Sequence, residues 1–181
     1  LDIKLSPEYI SFLGYQRKNK GLDLLPSIAS YLADNKYNVL IHDSPPGINL
    51  LNNLAKQKKS IKYVPKLCTE KEWHELISKS MIIVLPYNPK RYRYSYSSIF
   101  VESLFCGVPC IVPSRTSMER TYKNANLNEY LVFDEWKESS IISTFDKLMS
   151  RYSQVSKEVQ KYSKEWRSKN SPEKFVEFLL N

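Results

Sequence analysis

The sequence predicts an α/β fold: one three-layer domain with an open, mainly parallel sheet of about six strands. Three observations predict it. Short apolar runs alternate with amphipathic helical stretches from end to end. The run MIIVLP at 81–86 is apolar throughout, as a strand covered on both faces must be. Glycine, proline and small polar residues fall between the runs, where the chain has to turn.

Each element follows from its own residues. YISFLG at 9–14 reads as a strand ending in a glycine turn. Over 21–33, Leu22, Leu25, Ile28, Ala29 and Leu32 recur at helical spacing. NVLIHD at 38–43 is a second strand, SPPGIN at 44–49 a turn, and 50–57 a short helix. IKYV at 61–64 is a third strand, stopped by Pro65. Thr69 is a good helix cap, with Glu70, Glu72 and Glu75 in the turns that follow, and that helix is expected to reach about Ser80. MIIVLP is the fourth strand, followed by a polar, aromatic loop. Residues 98–106 are helical and apolar nearly all round, with Gly107 placed for a left-handed cap. VPCIVP at 108–113 and EYLVF at 129–133 are the fifth and sixth strands. Residues 137–180 read as a helical C-terminal tail, with Ser171-Pro172 starting its last helix.

Composition limits the function. With 181 residues the chain has the length of one domain, and residues 1–181 are read as a single unit. An apolar content of 42% argues against disorder. Leu1 in place of Met is expected of a fragment or a processed chain. No stretch of about 20 apolar residues is present, and no signal-peptide pattern. The net charge of +8 suits an anionic ligand without naming one. Cys68, Cys106 and Cys110 are an odd count without metal-ligand spacing, which favours free thiols in a reducing compartment. No metal site is expected.

In parallel sheets, ligands bind where the strand order reverses, at the carboxyl ends of the strands. The loops after those strands therefore carry the chemistry. The first is GYQRKNKG at 14–21, with Arg17, Lys18 and Lys20 just before a helix. Cations there oppose the helix dipole, and a bound anion would offset the repulsion; a solvated basic loop is the equal alternative. The loop is neither a dinucleotide fingerprint nor a P-loop. The second feature runs from Tyr92 to Ser114, where serines and an open helix start form a phosphate cradle. Glu102 lies one helical turn after Ser98, on the same face. A carboxylate on an apolar helix needs a partner; sugar hydroxyls can serve, and so can a neighbouring backbone group or a lysine. His42-Asp43 at a strand end reads as a strand cap before it reads as an acid/base pair. The cations and aromatics of YNPKRYRYSY at 87–96 resemble those of a single-strand nucleic-acid binder. At the ligand edge of the sheet they are expected to gate a small-molecule pocket, so nucleic acid is not the expected partner.

Three segments in order resemble the C-terminal, donor-binding domain of retaining GT-B glycosyltransferases of the "glycosyl transferases group 1" family. GYQRKNKGLDLL at 14–25 is similar to the family's first loop, Gly-Arg-x-x-x-x-Lys-Gly before an apolar helix. IKYVPKLCTEKEWHELISKSMIIVLPY at 61–87 resembles its strand–loop–helix–strand segment. YSYSSIFVESLFCGVPCIVPS at 94–114 resembles E-x-F-G-x-x-x-x-E-A-M-A-x-G-x-P-V-V, and Trp166 matches a common aromatic of the tail. The resemblance covers nearly the whole chain.

The resemblance implies a Rossmann-like domain that binds a nucleotide-diphosphate sugar without metal or other cofactor. Its sugar would go to a glycan or lipid-linked acceptor, with retention and of hexosyl type, in surface polysaccharide synthesis. It further implies Lys20 on the donor diphosphate, with Arg17 beside it. Gly14 and Tyr15 lie in the same loop. The amides of Ser97, Ser98 and Ile99 meet the phosphates, Glu102 the ribose, and the backbone at Leu67 the nucleobase. The partner implied is an N-terminal GT-B domain, absent here, so the isolated chain is expected to be inactive. A cytoplasmic setting follows, with peripheral contact at the inner face of a membrane kept open. Tyr15 stands for the family arginine, Tyr94 for the first motif glutamate and Ser97 for the motif glycine. Tyr94 and Tyr15 favour the alternative, a non-catalytic Rossmann-like ligand-binding or interaction domain.

Overall fold

The structure is a computed structural model describing residues 4–44 and 49–170. Its strands are β1 (Tyr9–Phe12), β2 (Val39–His42), β3 (Ile61–Val64), β4 (Ser80–Val84), β5 (Cys110–Pro113) and β6 (Val132–Phe133). They form one sheet in the order β3-β2-β1-β4-β5-β6. Every pairing is parallel. The chain runs outward from β1 to β3, then returns to the far side of β1. The strand order therefore reverses between β1 and β4, the place where parallel sheets of this kind bind their ligands. In the register, Ile10 lies opposite Val39 on one side and Ile82 on the other. All three are buried, because a central parallel strand is covered on both faces.

The helices are α1 (Leu25–Asp34), α2 (Asn49–Gln57), α3 (Glu70–Ser78), α4 (Pro89–Tyr92), α5 (Ser98–Cys106), α6 (Ser117–Lys123), α7 (Asn128–Leu131), α8 (Glu138–Met149) and α9 (Tyr152–Lys169). Contacts divide the larger ones into two sets. One set is α1 with α2 and α8; the other is α5 with α3 and α9. Right-handed crossovers place these sets on opposite faces of the sheet, giving three layers. The tail is docked along α9. Val155, Val159 and Ser163 recur every four residues on its buried face, and the Ser163 hydroxyl donates to the Phe105 carbonyl at 3.0 Å.

Local chemistry explains most boundaries. Thr69 caps α3 in a capping box with Glu72: the Thr69 hydroxyl accepts from the Glu72 amide, and the Glu72 carboxylate accepts from the Thr69 amide. Replacing Thr69 by Ala should cost about 1 kcal/mol of stability, read as a lower urea midpoint at unchanged slope. A variant with the wild-type midpoint would show that the cap contributes nothing. Gly107 ends α5 at φ 76°, the expected left-handed cap.

Other boundaries differ from expectation. α1 begins at Leu25, not Gly21, because residues 18–21 form a 3-10 turn closed by Gly21 and Pro26 sets the first helical turn. α4 and α6 interrupt segments with no expected helix. The sixth strand, expected over 129–133, shrinks to Val132–Phe133, and α7 takes Asn128–Leu131. Among the described residues only β5 pairs with β6, so little ladder energy opposes the helical turn. The turn at 45–48 and the Ser171-Pro172 helix start lie outside the described residues. All three cysteines are free; burial pushes the thiol of Cys110 up to about 12 and that of Cys106 up to about 11.

Candidate functional site

The crevice between β1 and β4 is built from the loops that follow them. After β1 the chain turns at Gly14, with φ 89°. A Cβ at Gly14 would sit 2.6 Å from the Ile99 side chain and 3.5 Å from Lys20 Nζ. Glycine is therefore needed twice there, for the backbone angle and for the space. The same distances show that Gly14, Lys20 and the first turn of α5 converge. The β1 and β4 loops are also tied directly, as the Asn88 amide donates to the Asn19 carbonyl at 3.0 Å.

Lys20 is half-buried, and among the described residues it has no carboxylate partner. Its Nζ lies 5.4 Å from the ring centre of the buried Tyr87. Burial, and then the Arg17 charge, hold its ammonium below the usual lysine range. Arg17 itself is exposed and rests over the Tyr15 ring at 5.8 Å. Two cations thus share one space with no anion from the protein between them.

The N-terminus of α5 faces the same space. Ser97 caps it, its hydroxyl accepting from the Phe100 amide. Among the described residues the amides of Ser98 and Ile99 find no acceptor. A helix start with free amides favours an anion. One turn on, Glu102 accepts a hydrogen bond from the Trp73 indole of α3.

The floor of the crevice is a polar network at the ends of β1 and β2. The Gly14 amide donates to His42 Nδ1 at 3.2 Å. Nδ1 must then be unprotonated, so Nε2 carries the proton and donates to the Lys66 carbonyl at 2.9 Å. Burial keeps the imidazole below its usual range, outweighing the Lys66 carbonyl and Asp43. His42 therefore ties strands together and is not a free base. Gln16 is buried, its amide donating to Asp43 Oδ1 at 3.0 Å and its side chain to the His42 carbonyl at 2.9 Å. Asp43 Oδ2 accepts from the Tyr63 hydroxyl at 3.1 Å.

The comparisons with known proteins agree on one fold. No family model and no curated protein sequence matches the chain. Solved structures do. The C-terminal domain of a glycosyl transferase group 1 family protein from Francisella tularensis, LpcC, matches with a TM-score of 0.67 at 13% identity, over 93% of this chain and 87% of that one. HepE from Anabaena, solved in complex with UDP-glucose, matches with a TM-score of 0.68 at 9% identity, over 90% of this chain and 44% of that one. Sucrose-phosphate synthase from Thermosynechococcus elongatus matches with a TM-score of 0.64 at 12% identity, over 88% of this chain and 41% of that one.

The fold is that of a GT-B glycosyltransferase C-terminal domain. The chain spans 41% of the sucrose-phosphate synthase and 44% of HepE, so it corresponds to part of those proteins.

Within this fold the expected site residues separate into two groups. Gly14, Lys20 and Ile99 converge at the switch point beside the helix start capped by Ser97, with Arg17 over Tyr15 in the same loop and Glu102 one turn along α5, bonded to Trp73. Leu67 and Tyr94 are 80% and 79% exposed, and Tyr94 is stacked by Arg93. Sequence reasoning missed Gln16, Tyr87 and Trp73. A glutamine buried beside three cations carries no local signal. The tryptophan had one: an aromatic in an otherwise polar helix needs somewhere to pack. Among the described residues no group of three or more His, Cys, Asp or Glu could hold a metal ion, and no helix is long and apolar enough to cross a membrane.

Proposed function

We propose that this chain binds a nucleotide-diphosphate sugar and supplies the donor half of a glycosyl transfer. The observation that carries the reading is Lys20: a half-buried ammonium without a carboxylate partner, beside Gly14 and the open start of α5. Such a cation is costly to the fold unless a ligand compensates it. A diphosphate compensates it and also takes the free amides of Ser98 and Ile99. Glu102 then faces the ribose.

In the transfer, the bond between the anomeric carbon and the diphosphate oxygen breaks and the oxygen gains negative charge. Lys20, Arg17 and the α5 amides are aimed at that charge, so they stabilise the transition state more than the bound donor. The role is electrostatic and needs no covalent bond to the protein. Retention, a hexosyl sugar and a glycan or lipid-linked acceptor belong to this same proposal, as does an N-terminal domain that carries the acceptor. Without that domain the chain binds donor weakly and transfers little or no sugar.

Titration calorimetry with UDP, ADP and GDP tests the reading. One of the three should bind, and Glu102→Ala should weaken it about tenfold. Absence of heat with all three nucleotides sinks the proposal and leaves an interaction domain without donor chemistry.

A further inference from the structure

We infer that His42 and Trp73 are positioning residues that couple the Gly14–Lys20 loop to Glu102, so that the diphosphate end and the ribose end of the crevice are set together. The inference rests on the donor-site reading above. Its basis is an unbroken run of contacts across the crevice floor. The Gly14 amide donates to His42 Nδ1 at 3.2 Å. The His42 ring meets the Trp73 ring edge-on, centroids 5.5 Å apart at 64°. The Trp73 indole N–H donates to Glu102 Oε2.

Each link has a single allowed state. An indole nitrogen donates only, so it fixes one Glu102 oxygen and leaves the other to accept a ligand hydroxyl. His42 has both nitrogens committed, one accepting from Gly14 and one donating to Lys66. Ring rotation breaks both bonds at once. Trp73 is held by α3, whose start is fixed by the Thr69 capping box. A shift of the α3 ring thus reaches Gly14 through His42 and Glu102 through the indole.

Protonation supplies an independent handle. If Nδ1 gains a proton, it can no longer accept from Gly14, and two N–H groups face each other. The groups around the imidazole are Asp43 on its own strand, the Cys68 thiol at 3.4 Å and the Lys66 carbonyl from the loop before α3, the Trp73 ring, and the Gly14 amide. Burial lowers the imidazole below its ordinary value of 6.5, so the acid limb falls below that pH.

The test uses the full chain with UDP-glucose, ADP-glucose and GDP-mannose, whose diphosphate diesters do not titrate in this range. Trp73→Phe keeps a ring but removes the donor; it should weaken the best binder about tenfold at a similar melting temperature. His42→Phe, which keeps a ring toward Trp73 but loses the acceptor, should do the same, and His42→Asn, which keeps an acceptor toward Gly14 but loses the ring contact, should weaken binding less than His42→Phe. Wild-type binding should weaken in acid and His42→Asn binding should not. The Gly14 amide resonance, read without ligand, should move in Trp73→Phe. An unmoved Gly14 resonance overturns the coupling whether or not a nucleotide binds. Failure of the wild type to bind any of the three, with the resonance shifted, instead overturns the donor reading beneath it.

Discussion

Replacing Lys20 by Met should stabilise the free domain and remove its nucleotide binding, two effects of opposite sign from one side chain. Lys20 is charged, half-buried and, among the described residues, without a carboxylate partner. Arg17 adds like-charge repulsion. Met keeps the aliphatic stem against Tyr87 and removes the charge. The attraction between the ammonium and the Tyr87 ring, about 0.5–1 kcal/mol, disappears with it and opposes the gain. Lys20 retains some water, so the desolvation relieved is discounted accordingly. A net gain of about 1 kcal/mol raises the melting temperature of a domain this size by roughly 2–4 °C.

The pH dependence fixes the sign. A lysine whose folded value is held below its ordinary 10.5 costs stability while it is charged in the fold. That cost is fully present at neutral pH and disappears as pH rises through the folded value, where the unfolded chain binds the extra proton. The advantage of Lys20→Met should therefore shrink in alkali. Binding moves the other way: a charge-assisted bond to the diphosphate is worth roughly 1.5–3 kcal/mol, so affinity should fall roughly 10- to 150-fold. A Met variant that is both less stable and equally able to bind nucleotide would mean that Lys20 is an ordinary structural lysine.

Gly21→Ala should be the most destabilising single-methyl change in the crevice. Gly21 closes the 3-10 turn at φ 82°, where an L side chain is strained. The added Cβ would lie 2.1 Å from the Pro86 carbonyl oxygen and 2.8 Å from two Pro86 ring carbons. The oxygen cannot simply swing away, because it accepts the Trp136 indole N–H at 2.8 Å. The β1 and β4 loops must separate, and a cost above about 3 kcal/mol is expected from the clash and the backbone together. Gly107→Ala is the control. Its φ is similar, but its Cβ would meet the flexible Gln160 side chain at 3.2 Å, so about 1 kcal/mol is expected. Urea unfolding of both variants checks the ranking. Equal midpoints would show that the two loops are not locked against each other.

Particular residues show how much of this was legible beforehand. MIIVLP, the Thr69 cap and the Gly107 stop were readable because each depends on neighbours within a few residues. EYLVF was misjudged as a full strand because an apolar run of that length suits either a turn of helix or a strand. An edge position with one partner left the outcome to packing. His42 could be anticipated as a strand cap. Its partners could not, since Gly14 and Lys66 lie 28 and 24 residues away. Glu102 was expected near a sugar hydroxyl, but its bond to Trp73 depends on α3 lying against α5.

Alternation of apolar runs with helical stretches determined the α/β class, and the chain's own turns and caps determined most element positions. Those are local matters of period and backbone geometry. Only the tertiary structure decided that β1 and β4 would be neighbours. That adjacency brings Gly14, Lys20 and Ile99 together and places Gln16, His42, Trp73 and Glu102 around them. A site assembled from loops up to 88 residues apart in number, from Gly14 to Glu102, exists only once the sheet has ordered its strands.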